Sequence, residues 1–158
     1  MQEVIFGAGC FWGVQDAFDQ VDGVLSTTVG YSGGHFANPT YEDVCGGQTG
    51  HAEVVRVEFD DKKISIEKLL DIFWNIHDPT TLNRQGPDRG RQYRSIAFYK
   101  NDEEQKTIRA YIDALEESKV YDSPIVTEIT PFTIFYRAEE YHQDYERKNP
   151  NNPYIQNI

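Results

Sequence analysis

IFGAGCFWGVQDAF, residues 5–18, carries the chain out of an apolar strand, through glycine-flanked Ala8 and into a cysteine that opens a helix. EVIFGA at 3–8 has strand composition, and Phe11, Val14, Ala17, Phe18 and Val21 recur at helical spacing over 11–21. Reading outward, VLSTTVGYSGG (24–34) is β-rich and ends in glycines, while EVVRVEFD (53–60) alternates with Val54, Val55, Val57 and Phe59. SIEKLLDIFWNIH (65–77) has the apolar spacing of a helix, although Lys68 stands where a capping box would place an acid. RSIAFYK (94–100) reads as a strand, DEEQKTIRAYIDALEESKV (102–120) as an acid-led amphipathic helix, and IVTEITPF (125–132) as a further strand. A polar tail ending NPNNPYIQNI follows.

The order from 3 to 100 is β-α-β-β-α-β, which predicts a ferredoxin-like α+β sandwich: a mainly antiparallel mixed sheet with helices on one face. The 158 residues are expected to form one domain, 1–158, a length that can bury its own core. Segments 35–52 and 78–93 exceed what simple connections need and are candidate functional loops.

The formal net charge of −11 argues against nucleic acid and anionic membrane surfaces as partners, since both would be repelled. No stretch approaches a membrane span, and MQEVIFG lacks the basic start of a signal peptide, so a cytoplasmic setting is expected. The two cysteines, Cys10 and Cys45, make neither a disulfide framework nor a CxxC motif. The four histidines show no ligand spacing, and no metal is expected; capping, surface or supporting roles suffice for His35, His51, His77 and His142. Cys45, between Val44 and two glycines, is expected to be buried.

A cysteine at a helix N-terminus sits among unpaired N–H groups that favour its thiolate, so Cys10 is a candidate nucleophile; a small buried hydrophobe is the plain alternative. Phe11 and Trp12 point about 100° apart on the helix, which leaves one of them able to wall an apolar pocket beside the thiol; core packing of both is the plain alternative. Glu53 opens an apolar strand, where desolvation would hold a proton on its carboxyl near neutral pH; a solvated strand end is the commoner case. Tyr41 and Tyr93 offer uncharged donors, and Asp88 lies in a loop rich in Gly, Pro and Arg; an ordinary turn residue is the plain alternative for Asp88 and a half-buried strand aromatic for Tyr93.

Taken in order, GCFWG (9–13), GYSGG (30–34), NPTYEDVC (38–45), TGHAEVVRVEFD (49–60), FWNIHDPT (73–80), RQGPDRGRQYRS (84–95) and AEEYHQDY (138–145) resemble the A-type peptide methionine sulfoxide reductases over nearly the whole chain. The resemblance implies that Cys10 attacks the sulfur of a methionine S-sulfoxide, free or in proteins, and becomes a sulfenic acid. It implies further that Glu53 protonates the departing oxygen, that Tyr41 and Tyr93 hydrogen-bond that oxygen, that Phe11 and Trp12 hold the methyl group, and that Asp88 approaches the substrate's main chain. Gln15 stands where relatives often carry Glu.

Many relatives carry resolving cysteines in a Gly-rich C-terminal tail, whereas this sequence ends NPYIQNI. The expectation is therefore no bound cofactor and reduction by an external thiol, either thioredoxin or glutathione with glutaredoxin. A monomer is expected, able to couple through Cys10 into a dimer on oxidation. Two other functions share some of these features: a thiol peroxidase, whose usual motif context is missing, and a peptide-binding module in which Cys10 is incidental.

Overall fold

The computed structural model describes residues 2–149. Strand β1 (Gln2–Ala8), helix α1 (Phe11–Asp19), β2 (Val24–Ser32), the short α2 (Tyr41–Cys45), β3 (Ala52–Phe59) and α3 (Ile66–Asn75) come first. A two-residue hairpin, β4 (Arg84–Gln85) and β5 (Asp88–Arg89), then leads through a 3-10 turn at Arg91–Tyr93 into β6 (Ser95–Tyr99). Helix α4 (Asp102–Glu117), β7 (Glu128–Pro131), β8 (Phe135–Arg137) and α5 (Tyr145–Lys148) complete the described chain.

Six strands form one sheet in the order β7-β6-β1-β3-β2-β8. Its centre, β6-β1-β3-β2, is antiparallel throughout and has the split connectivity of the ferredoxin-like pattern; β6 and β7 make the one parallel pair among the described residues. The fold class expected from the sequence is the one observed.

Alternation along the strands divides the core in two. Val4, Phe6 and Ala8 of β1, with Val55, Val57 and Phe59 of β3, face the helices and pack with Phe18 of α1 and with Leu70 and Phe73 of α3. Phe6 stacks on Phe73 at 4.5 Å between ring centroids. Ile5, Ala52, Val54, Ile96 and Phe98 occupy the other face under Phe132 and Phe135. By the same alternation Glu53 shares the helix-facing side with Val55, Val57 and Phe59, which places a carboxyl at the margin of the main core.

Helix starts follow their capping residues. Ser65 accepts from the Lys68 N–H at 3.1 Å despite the missing acid, and Asn101 accepts from Glu104 N–H at 2.9 Å. The segment 35–52 holds α2, which begins with a full capping box between Thr40 and Asp43. Segment 78–93 holds the β4/β5 hairpin. The strand expected at 125–132 is shortened to Glu128–Pro131.

The polar tail is more structured than its composition indicates, for it contains β8 and α5; residues 150–158, the end of that tail, lie outside the described residues. β8 pairs with Gly30–Ser32 of β2. Beyond it the buried side chain of Gln143 continues the ladder: its Oε1 accepts from Val29 N–H at 3.0 Å, and its Nε2 donates to Val29 O and Ala138 O, each at 3.0 Å. Replacing Gln143 by Ala leaves the Val29 amide buried without a partner, and is expected to cost ~2–4 kcal/mol in urea unfolding with no change of fold by circular dichroism.

Candidate active site

Cys10 is the N-cap of α1 and is partly exposed. The chain reaches it through Gly9, whose φ of +96° is open to glycine and whose missing Cβ leaves room for Gln85, which would otherwise lie 2.8 Å away. Gln85 is in turn fixed by Asp78, accepting from its N–H at 2.9 Å and donating to its carbonyl at 2.8 Å. The β4/β5 hairpin is thereby held against the start of α1, bringing Asp88 to the site.

Glu53 is the buried partner of that helix start. It is 1 % exposed, and its Oε1 accepts from the Phe11 N–H at 3.2 Å, one of the donors that α1 leaves unpaired. Its Oε2 is buried and has no hydrogen-bond partner among the described residues. Burial pushes its pKa up to about 8, opposed by the Phe11 N–H and reinforced by the charge of Asp88.

Phe11 and Trp12 divide as their 100° separation predicts. Phe11 is buried against Tyr31 and His142, whereas Trp12 is half-buried and stacks on Tyr145 at 3.8 Å between centroids. The Trp12 indole N–H donates to His142 Nδ1 at 2.9 Å. That bond leaves the proton of a neutral imidazole on Nε2, which is buried and finds no partner among the described residues. His142 is 1 % exposed, and burial lowers its pKa, which favours the neutral ring.

Tyr41 begins α2 with its ring 4.4 Å from that of His142. Glu139 fixes it, one oxygen accepting from the Tyr41 N–H at 2.9 Å and the other from the Tyr31 hydroxyl at 2.9 Å. Tyr93, at the end of the 3-10 turn, lies within electrostatic reach of Glu53, Cys45, Asp88 and Cys10. Burial raises both the Tyr41 and the Tyr93 pKa, followed for Tyr41 by its hydrogen bond with Cys45 and then the charge of Glu53, and for Tyr93 by the charge of Glu53, so both hydroxyls keep their protons at neutral pH.

The two long loops are clamped together. His51 accepts from Gly34 N–H at 3.0 Å and closes on Phe36 O at 2.7 Å, while the buried Arg94 donates to Gly50 O at 3.0 Å and Arg91 O at 2.9 Å. Cys10, Phe11, Trp12, Tyr41, Glu53, Asp88 and Tyr93 thus converge from five places in the chain. Glu139 and His142 join them, although sequence reasoning assigned neither a place there; the only signal was their membership of AEEYHQDY.

One expectation is corrected. Cys45 is exposed, not buried, because it ends the five-residue α2 and Val44 takes the inward position. The Tyr41 hydroxyl hydrogen-bonds to its sulfur, and burial of the thiol group with nearby Glu53, Glu42 and Glu139 raises its pKa above the usual range. No cluster able to hold a metal ion occurs among the described residues. No helix among them is long and apolar enough to cross a membrane.

The arrangement unites a thiol at a helix N-terminus, a protonated buried carboxyl, two neutral phenols and an aromatic wall. A thiol and an acid so placed can take an oxygen from a small polarised group. Comparison with known proteins agrees with that chemistry. The family model described as peptide methionine sulfoxide reductase matches residues 2–158. A peptide methionine sulfoxide reductase MsrA of Methanothermobacter thermautotrophicus is 61% identical over 149 residues, covering 94% of this chain and 88% of that protein. The MsrA of Methanosarcina acetivorans is 56% identical over 158 residues, covering 100% of this chain and 82% of its own. Among solved structures, Mxr1 of Saccharomyces cerevisiae in reduced form superposes with a TM-score of 0.90 at 38% identity, covering 96% of this chain and 87% of that one. Mxr1 has also been solved in complex with Trx2, which matches with a TM-score of 0.64 at 25% identity over 91% of this chain and 84% of that one. The chain belongs to the peptide methionine sulfoxide reductase family and is an oxidoreductase that reduces methionine sulfoxide, an activity that repairs oxidised proteins.

Proposed function

We propose that Cys10 is the nucleophile and Glu53 the acid in reduction of the S epimer of methionine sulfoxide, within a single catalytic domain. The observation that carries this reading is a carboxyl 1 % exposed, holding its proton to about pH 8, at the first turn of the helix that Cys10 caps. A sulfoxide oxygen leaves only once protonated, whereas the attacking sulfur must be a thiolate, so acid and anion have to coexist. The α1 N-terminus supports the anion while burial keeps the acid neutral.

The Cys10 sulfur attacks the substrate sulfur as Glu53 delivers its proton to the departing oxygen, which Tyr41 and Tyr93 hold by hydrogen bonds. The protonated oxygen then passes as hydroxyl from the substrate sulfur to the Cys10 sulfur while the S–S bond between the two sulfurs breaks with its electron pair going to the substrate, so Cys10 becomes a sulfenic acid, methionine leaves as the thioether, and two electrons have passed from the thiol to the sulfoxide. Trp12, with Phe11 behind it, receives the methyl group, and Asp88 approaches the main chain. Three fixed directions around a chiral sulfur admit one epimer.

An external thiol then attacks the sulfenic acid, releasing water and forming a mixed disulfide, which a second thiol resolves. Thioredoxin is the partner suggested by the Mxr1 complex with Trx2, and glutathione with glutaredoxin is the other donor of this class. Cys45 is accessible, but its raised pKa leaves little thiolate to act as resolver near neutral pH. No bound cofactor enters this cycle, a monomer suffices for it, and oxidised Cys10 would link two chains when reductant is short. A cytoplasm that keeps thiols reduced suits it.

Two results test the assignment. With dithiothreitol, the parent is expected to release methionine from the S epimer alone, and Cys10→Ser to release none; Glu53→Gln is expected to lower kcat/KM about 10²–10⁴-fold. In the parent, kcat/KM should fall as pH rises through about 8, where Glu53 loses its proton. Peroxide consumption without sulfoxide reduction would replace the reading by a thiol peroxidase.

Stability gives an independent check. The carboxyl ionises near its ordinary pKa in the unfolded chain but only at about 8 when folded, so the folded state binds the extra proton and loses stability as pH rises between those values. Glu53→Gln removes this slope: urea unfolding should show the variant gaining on the parent from pH 5 to pH 8, by ~2–4 kcal/mol at the upper end.

A further inference from the structure

A groove of about 700 Å³ runs along α1 from Cys10, and neither Glu53, Tyr41, Tyr93 nor Trp12 lines it. Its floor is the half-buried side of α1 at Gly13 and Ala17, with the Glu146 carboxyl 3.4 Å from where a Gly13 Cβ would stand, and its walls are Ile76 beyond α3 and the hairpin turn at Pro87. Cys10 and Asp88 belong both to this groove and to the site described above, so the two spaces meet at the thiol.

We propose that this groove receives the polypeptide flanking the oxidised methionine and selects apolar neighbours; the proposal rests on Cys10 as the reacting thiol. Size is the first reason. The side chain of methionine sulfoxide has only a handful of non-hydrogen atoms, whereas this volume falls among pockets of ~300–1,000 Å³ that hold much larger ligands. From residue 10 to residue 17 the helix rises ~10 Å, the span of about three extended residues.

Chemistry is the second reason. Among the described lining residues the one carboxylate is Asp88, and the rest of the surface is dominated by small and aliphatic groups. Gly13 and Ala17 keep the floor low enough for a backbone to approach. An acidic segment would meet a chain of net charge −11. Methionine packs in apolar surroundings, and its oxidation disrupts them, so a damaged protein exposes the sulfoxide together with apolar neighbours. A small thiol such as dithiothreitol needs to reach only the Cys10 sulfur, so it serves as a reductant that leaves the rest of the groove to the substrate.

The test compares the free S-sulfoxide with an acetylated pentapeptide carrying leucine and valine on both sides of it, using dithiothreitol as reductant. In the parent, kcat/KM for the peptide should exceed that for the free amino acid about tenfold or more, chiefly through KM. In Ala17→Arg, and independently in Pro87→Lys, that ratio should fall to within about twofold. A parent ratio below about twofold, or one that survives both substitutions, overturns the proposal. An effect of the substitutions seen with glutathione but absent with dithiothreitol also overturns it, giving the groove to the reductant. Failure of the catalytic reading would look different, because the parent would turn over neither substrate. The groove is then judged by calorimetric titration of Cys10→Ser protein with the corresponding methionine peptide: binding weakened about tenfold by Ala17→Arg supports it, and unaffected binding overturns it.

Discussion

The bond from the Phe11 N–H to Glu53 Oε1 is the contact on which the site depends. It joins the start of α1 to the start of β3, two elements 42 residues apart, and it does so on the helix-facing side of the sheet. A carboxylate in that position would face a large desolvation cost, whereas a neutral carboxyl accepting one N–H is tolerated at the edge of a core. Burial therefore decides the protonation state. With Glu53 neutral, it does not compete as an anion for the positive end of α1, which remains available to the sulfur of Cys10.

Much of this was legible in the sequence because it follows from short-range periodicity. The alternation of EVVRVEF puts residues 53, 55, 57 and 59 on one face, so a core-facing Glu53 is implied once β3 is recognised as half-covered by helices. Likewise the 100° step between Phe11 and Trp12 sends one ring inward and leaves the other half-covered. Gly9 and the cysteine after it mark the turn from β1 into α1. What a single sequence could supply only through resemblance is the convergence of Tyr41 with Asp88 and Tyr93, since the first lies on the segment 35–52 and the other two on the segment 78–93.

The elements that escaped sequence reasoning are those with no period of their own. β8 is three residues long, and its partner Gly30–Ser32 lies over 100 positions away, so hydrogen-bonding demand at the β2 edge, not local propensity, makes it a strand. Gln143 is conspicuous only when its amide is seen to meet both polar groups of Val29. Cys45 misled for a related reason: with Val44 before it, the residue pair reads as buried, but a five-residue helix has room for one inward side chain at that end.

These late elements also explain how the aromatic wall acquires a fixed shape. Trp12 and Tyr41 come from the first third of the chain, yet each is held by the segment 139–145: Trp12 by His142 and Tyr145, Tyr41 by Glu139. That segment reaches them only because β8 and Gln143 are bound to β2. Glu53 and the α1 terminus, by contrast, are set by β1 and β3, whose pairing forms the middle of the sheet. The acid and thiol are therefore built into the central framework, and the walls around them are added by docking of its far end. Glu53 and the Cys10 helix start are thus fixed by the first strands of the chain, and the aromatic side chains around them by its last described segment.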